Sequence, residues 1–161
     1  MYPDADQKLT YQTPDTVYFF TVAYYPFDNF SAHTVEIWER IFPTVEHAFQ
    51  WKKFETTEPE LAAKILAAGS PWHAKKLSRS SSNMHTDWHN TRVTIMTEIV
   101  RAKVLQHEDV RVLLLSTGNK TIVENSPVDD FWGAGANGRG ENQMGKILMK
   151  IRQEHIDSTK V

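Results

Sequence analysis

Three polar side chains, Glu46, Gln50 and Lys53, recur at positions i, i+4 and i+7 of the segment PTVEHAFQWKKF. This spacing places them on one face of a helix, where Phe49 and Phe54 flank them with apolar surface. A carboxylate beside a bound substrate can act as a general base or stabilise a developing cation. A glutamate in a first helical turn is also favoured by the helix dipole alone. The sequence therefore leaves two interpretations open, a catalytic pocket edge and a solvated polar face.

A second segment, FWGAGANGRG at residues 131–140, contains the pattern G-x-G-x-x-G that is typical of dinucleotide-binding turns. That pattern requires a preceding strand, a helix that opens at the glycines and a second strand with an acidic residue. Here the preceding SPVDD is turn-like and only one more helix follows, so the sequence excludes a Rossmann fold. The glycines can still present backbone N–H groups to an anion ahead of a helix, or simply form a surface loop.

Histidines and cysteines give little indication of a metal site. His85 and His89 have the i, i+4 spacing of metal ligands, but no third ligand is indicated and the chain has no cysteine. We therefore predict neither a metal nor an organic cofactor.

The tryptophans divide into two groups by their surroundings. Trp88 follows a polar loop and Trp132 precedes the glycines, positions at which aromatic rings often contact ligands. Trp51 and Trp72 lie at helical spacing and are expected in the core. Asp129, close to Trp132, either caps a turn or supplies a second carboxylate.

These residues must be held by a helix-rich framework. Caps, apolar periodicity and glycines predict helices at about 44–55, 58–69, 71–77, 87–107, 108–116 and 143–158. Strands are predicted at 17–22 and 121–124, and a strand or hairpin at 33–42. The predicted fold class is α+β, a single compact helix-rich domain around a small β-sheet. An N-terminal arm is predicted at 1–16 and the domain at 17–161.

Composition places the chain among ordinary globular proteins. It has 161 residues, 40% of them hydrophobic and 24% charged, with a formal net charge of −2. This charge gives no electrostatic reason for non-specific binding to nucleic acid or membranes. The N-terminus does not resemble a signal peptide and no apolar run is long enough to span a membrane, so the expected location is cytoplasmic.

The ordered motifs, from about residue 17 to 152, resemble the NADAR family of YbiA-like N-glycosidases. The most specific blocks are FPTVEHAFQ at 42–50, DDFWGAG at 129–135 and GENQMGKILM at 140–149. Two positions depart from the family pattern: Ser78 stands where the family often has glycine, and Val104 where phenylalanine is usual. The resemblance implies a compact α+β fold and hydrolysis of an N-glycosidic bond.

The resemblance also implies the site residues. Family positions fall on Glu46, Trp88, Asp129 and Trp132, and we predict catalysis by the two carboxylates. Lys53, Arg79 and the N–H groups of residues 138–140 are expected to bind phosphate. The complete predicted substrate-binding set is Asn29, Phe30, Gln50, Lys53, Arg79, Trp88, Lys103, Trp132, Gly133, Gly135, Gly138, Arg139 and Asn142.

The family activities leave the substrate open. One splits early riboflavin-pathway intermediates into a base and ribose 5-phosphate, and another removes ADP-ribose from ADP-ribosylated guanine, which can be part of a nucleic acid. The expected partner is therefore a nucleotide-like small molecule, with no membrane and with the oligomeric state open. The main alternative is a non-catalytic module that binds ADP-ribose or NAD, and a zinc hydrolase is a more distant one.

Overall fold

A computed structural model describes residues 9–21 and 25–159 of the chain. Within these ranges it contains five short strands, a 3-10 turn at Tyr25–Phe27 and six α-helices. The strands are β1 (Tyr11–Gln12), β2 (Thr16–Phe19), β3 (Val35–Ile37), β4 (Arg40–Phe42) and β5 (Thr121–Glu124). The helices are α1 (Val45–Lys52), α2 (Pro59–Leu66), α3 (Pro71–Ser78), α4 (Trp88–Gln106), α5 (Glu108–Ser116) and α6 (Gln143–Ser158). This content confirms the predicted α+β class.

The chain forms two compact units. The first contains the described residues of 1–28 and of 108–161, and we call it the split unit because two separate stretches of chain build it. The second contains residues 29–107 and is called the continuous unit.

In the continuous unit, α1 packs against α2, α3, α4 and β4. Every residue of α1 from Val45 to Trp51 is buried as a result. A helix enclosed on all sides is normally apolar throughout, yet this one carries Glu46, His47 and Gln50. Each of these polar groups must therefore find a partner inside the protein or leave bonding capacity for a ligand.

In the split unit, a three-stranded sheet has the order β1-β2-β5. β1 runs antiparallel to β2, whereas β2 and β5 are parallel, with Thr16 opposite Thr121 and Phe19 opposite Glu124. The apolar side of α6 packs on β5 and buries Ile147, Leu148 and Ile151. These contacts fix the loop that joins β5 to α6.

Several predicted boundaries differ from the structure. The helices predicted to end at about 55 and 69 end at Lys52 and Leu66. Strand β2 ends at Phe19 rather than at residue 22, because Thr21 has a left-handed backbone (φ 61°) that an extended strand does not allow; residue 22 lies outside the described residues. The predicted arm at 1–16 lies outside them as far as residue 8, and its boundary stays a prediction. Among the described residues, no helix combines the length and apolar character needed to cross a bilayer.

Candidate active site

The N-terminus of α1 is fixed by Thr44 and His47. Thr44 caps the helix, and its hydroxyl accepts a hydrogen bond from the backbone N–H of His47 (3.3 Å). His47 Nε2 donates to the carbonyl of Ala68 (3.0 Å), so Nδ1 is left to accept from the Thr44 hydroxyl (2.9 Å). Burial lowers the pKa of His47, while the bond to Ala68 opposes that shift, and the neutral ring is favoured. The residue next to it, Glu46, is thereby held in one position.

Glu46 itself is a buried carboxylate, only 4% exposed. Its backbone N–H donates to the carbonyl of Asn29 (3.0 Å), and its Oε1 accepts from Gln50 Nε2 (2.7 Å). Gln50 is equally buried, and its Oε1 has no hydrogen-bond partner among the described residues. Burial of both side chains excludes the solvated polar face as an interpretation of this stripe. A buried amide oxygen without a partner is costly and indicates that a water or ligand belongs there.

Basic side chains lie near this carboxylate. Lys75 Nζ lies 3.9 Å from Glu46 Oε1. Burial lowers the pKa of Lys53 to about 8; the charge of Glu46 opposes that shift, and the charges of Lys75, Arg79 and Arg92 add to it. Lys53 therefore has one carboxylate and three other basic groups within electrostatic range, a local positive excess suited to an anionic ligand.

Aromatic rings line the same group. The Lys53 ammonium lies 5.5 Å from the ring centroids of both Phe49 and Trp88, and these rings pack at 4.8 Å. Trp88, the predicted ligand platform, is only 3% exposed. In this conformation its ring packs beside the Lys53 ammonium. Its contact with substrate stays a prediction.

Trp72 was expected in the core together with Trp51. Trp51 is indeed buried, at 7% exposure, but the expectation for Trp72 is wrong, since it is 69% exposed. Trp72 lies in the first turn of α3 and meets Phe30 edge to face, with ring centroids 4.8 Å apart. The residues of α3 that enter the core are Ala74 and Ser78 instead.

Lys103 is almost fully buried, at 2% exposure, and its ammonium donates to Ser31 Oγ (2.7 Å). The Ser31 hydroxyl also lies 2.9 Å from His33 Nδ1. Lys103 therefore belongs to an internal polar group that joins α4 to the segment before β3. Its predicted contact with substrate stays a prediction.

In the split unit, Asp129 closes its own turn. Its Oδ1 accepts hydrogen bonds from the backbone N–H groups of Phe131 (3.0 Å) and Trp132 (2.7 Å). This is the turn-capping role that the sequence left open, and it occupies one of the two carboxylate oxygens. The half-buried Trp132 ring packs edge to face on Phe131, with centroids 4.9 Å apart.

The glycines of the loop are required by close packing. A Cβ on Gly133 would lie 2.7 Å from the carbonyl oxygen of Glu124, and one on Gly140 would overlap the backbone of Gly133 and Ala134. Gly135 and Gly138 have φ values of 68° and 70°, which side chains disfavour.

The loop amides already have acceptors. The N–H of Gly138 donates to Gly135, that of Arg139 to the Asn137 side chain and that of Gly140 to Ala134. The expectation that these N–H groups bind phosphate stays a prediction.

Asn142 has a structural role that its sequence position did not reveal. Its side-chain Oδ1 accepts from the N–H of Glu124, and its Nδ2 donates to the carbonyl of Ile122, both at 2.9 Å. The amide thus continues the edge of β5 and ties it to the start of α6. A left-handed backbone (φ 50°) makes this arrangement possible.

Lys75 and Arg92 were not predicted as site residues. Both belong to helices whose positions relative to α1 depend on tertiary packing. The only sequence signal was the basic pair Lys75-Lys76 at the end of α3, which equally fits favourable charges at a helix C-terminus.

Comparison with known proteins places this site in a family. The family model of the NADAR domain matches residues 11–155. An N-glycosidase of Nostoc punctiforme is 43% identical over 143 residues, which cover 86% of this chain and 92% of that protein. The NMR structure of YbiA from Escherichia coli superposes with a TM-score of 0.83 at 29% identity, covering 96% of this chain and 93% of that one. A riboflavin biosynthesis protein of Vibrio vulnificus is 34% identical over 150 residues, 92% of this chain and 39% of that longer protein.

The fold and these relatives define the class: the chain is a hydrolase that acts on N-glycosyl compounds. Its substrate is accordingly a small nucleoside-like molecule. The chain belongs to the NADAR domain family, which confirms the resemblance drawn from its motifs.

Proposed function

We propose that this hydrolase cleaves the C1′–N bond between a heterocyclic base and a ribose that carries phosphate, and that Glu46 is its central carboxylate. The observation that carries the proposal is a buried carboxylate that interacts with Lys75 and Lys53, together with Arg79 and Arg92 near Lys53, all within one compact unit. The basic groups match a phosphate, and the carboxylate matches the positive charge that develops on the sugar.

Cleavage of the C1′–N bond leaves the bonding electrons on the base and positive charge on C1′ and the ring oxygen of ribose. A carboxylate beside C1′ stabilises that positive charge because its own charge is negative. Alternatively, it acts as a general base and removes a proton from the attacking water. Water then supplies a hydroxyl group to C1′ and its proton to the departing base. Glu46 fits this task because α1 and Gln50 hold it in place, and burial strengthens its field.

Gln50 is proposed to position the attacking water. Its Nε2 donates to Glu46 Oε1, and its buried Oε1 has no partner among the described residues. A water that donates to Gln50 Oε1 could also donate to the carboxylate, which would fix its orientation toward C1′. The Gln50 amide thus connects the Glu46 carboxylate to the attacking water.

The phosphate is proposed to bind Lys53 and Arg79, with Lys75 and Arg92 adding to the positive field. A phosphate monoester and the diphosphate of ADP-ribose each carry about two negative charges near neutral pH. Charge therefore favours either substrate class equally.

The riboflavin-pathway intermediate is the preferred substrate, because relatives of Vibrio vulnificus and of Zea mays are named riboflavin biosynthesis proteins. ADP-ribosylated guanine is the second member of the same reaction class. A cytoplasmic location is proposed with the first substrate, and a nucleic-acid partner is proposed only with the second. Asp129 and Trp132 stay predictions as substrate contacts.

The test is incubation of the purified protein with each substrate, followed by chromatographic separation of the released base. We expect release of the base from the riboflavin intermediate, also in the presence of a strong chelator, because the sequence offers no thiolate and no complete histidine ligand motif. Release of guanine alone would move the proposal to the second substrate. Cleavage of neither, with tight binding of ADP-ribose, would contradict it.

A further inference from the structure

Trp72 and Phe30 form an exposed aromatic pair on the continuous unit. Their rings meet at 4.8 Å and 86°, and Trp72 is 69% exposed, so an indole face remains open. Ser70 caps the N-terminus of α3: its Oγ accepts a hydrogen bond from the backbone N–H of His73. This bond fixes the turn that carries Trp72. The Trp72 ring of this pair is therefore exposed on the capped first turn of α3.

One ammonium group connects this pair to the reacting centre. Lys75 Nζ lies 5.5 Å from the Phe30 ring centroid and 3.9 Å from Glu46 Oε1. A line of contacts thus runs from the Glu46 carboxylate through the Lys75 ammonium and the Phe30 ring to Trp72. A ribose at the carboxylate would carry its base outward along this line.

The geometry points to the Phe30–Trp72 pair as the subsite for the departing base, with Lys75 between the base and the carboxylate. This inference rests on the proposed function. A planar heterocycle stacks on the open indole face, because every base has a π-face that aromatic rings attract. The Lys75 ammonium stabilises the negative charge that the base acquires as the C1′–N bond breaks.

Stacking predicts a specific kinetic signature. It is made equally with the bound substrate and with the transition state, so its loss should raise KM and leave kcat nearly unchanged. Ribose 5-phosphate, which lacks a base, should be insensitive to Trp72. A role in folding would affect both ligands, and a role in phosphate binding would affect ribose 5-phosphate most.

The experiment measures binding in the Glu46→Gln background, which should bind without cleaving. Adding Trp72→Ala is expected to raise the Kd of the intact riboflavin intermediate about tenfold, within the range for stacking on one ring. The Kd of ribose 5-phosphate should change less than about twofold, and Trp72→Phe should restore much of the affinity. Ile41→Ala is the matched control, since Ile41 is 65% exposed on the same unit but has no part in the site.

Unchanged binding of the intact intermediate in Trp72→Ala, or equal weakening of both ligands, would overturn the inference. Failure of the proposed function is a separate result. If the wild-type protein cleaves neither substrate, the Trp72 effect is still measured as a Kd. If instead Glu46→Gln cleaves at the normal rate, another group does the chemistry. In that case the Trp72 effect is measured as KM in the wild-type background, and a rise of about tenfold there still supports the base subsite.

Discussion

Two polar regions of this protein, one in each unit, differ in how their hydrogen-bonding groups are satisfied. Around Glu46 in the continuous unit, bonding capacity is left over: Gln50 Oε1 lacks a partner among the described residues, and Lys75 Nζ lies 3.9 Å from the carboxylate. In the glycine loop of the split unit, the amides of Gly138, Arg139 and Gly140 all donate internally. These three amides of the loop that looks like a phosphate-binding motif thus already have acceptors. The polar stripe of α1, which looks solvated in the sequence, is buried at Glu46 and Gln50 and keeps one amide oxygen without a partner among the described residues.

The difference shows that residue type alone does not identify a binding site. An amide binds an anion only if its hydrogen is not already donated, and a carboxylate affects chemistry strongly only if water is kept away. Unused bonding capacity under burial is the more informative property, and it can be observed only in the folded chain.

The largest expected effect comes from Glu46→Gln. This change keeps the shape of the side chain and removes its charge, so we expect turnover to fall about 10²–10⁴-fold, or roughly 3–5 kcal/mol of barrier. The melting temperature should stay within a few degrees of wild type, since a helix-dipole contribution is worth only about 0.3–1 kcal/mol. Steady-state kinetics and thermal unfolding measure the two effects. A variant that cleaves normally and merely melts earlier would make Glu46 a helix-start residue.

Gly145→Ala should affect the split unit through stability. A Cβ there would overlap the carbonyl oxygen of Ile122 and the side chain of Asn142, so we expect a loss of about 1–3 kcal/mol in the free energy of unfolding. Gly69→Ala is the matched control: its Cβ would meet nothing within 4 Å, and its stability should stay within about 1 kcal/mol of wild type. Denaturant titration compares the two variants. Equal stability of both would mean that the first turn of α6 tolerates an extra methyl group.

Two substitutions of Asp129 distinguish a turn-capping role from a substrate contact. Asp129→Asn retains an Oδ1 acceptor for the amides of Phe131 and Trp132, so stability should be close to wild type. If the charge holds a ribose hydroxyl, kcat/KM falls about tenfold, which corresponds to about 1.4 kcal/mol. Asp129→Ala removes both bonds and should also unfold more easily. Wild-type kinetics in Asp129→Asn would leave the residue with a purely structural role.

Lys53 should give the smallest effect, visible as pH dependence. Its pKa is lowered to about 8 by burial, so the ammonium that we propose to bind phosphate is lost as the pH rises through 8. We expect kcat/KM to decline by several-fold between about pH 7 and 9, and Lys53→Arg, always charged, to lack this decline. The same shift makes this group's contribution to stability increase from about pH 8 to 10.5, because there the unfolded chain binds more protons. An identical alkaline decline in Lys53→Arg would assign it to another group.

Local rules predicted much of this structure. The Thr44 cap and the i, i+4 pair of Glu46 and Gln50 depend only on helix geometry, and both are present. The exclusion of a Rossmann fold followed from the elements around the glycines. Tertiary packing determined the rest: which face of α3 enters the core, and therefore the exposure of Trp72, depends on the neighbours of that helix. The proximity of Lys75 to Glu46, and the influence of Arg92 on Lys53, have the same origin.

The parallel pairing of β2 with β5 has a consequence for how the protein is made. The two strands are separated by about a hundred residues, so at ribosomal speeds of about 5–20 residues per second β2 waits for its partner for roughly 5–20 s. During that interval the nascent chain carries a hydrogen-bonding edge with no partner strand, a surface on which neighbouring chains can assemble. In the sequence, the continuous unit lies entirely between β2 and β5, so it can fold before β5 has been synthesised. Synthesis rate and chaperone supply should therefore influence the yield of the split unit more than that of the continuous one.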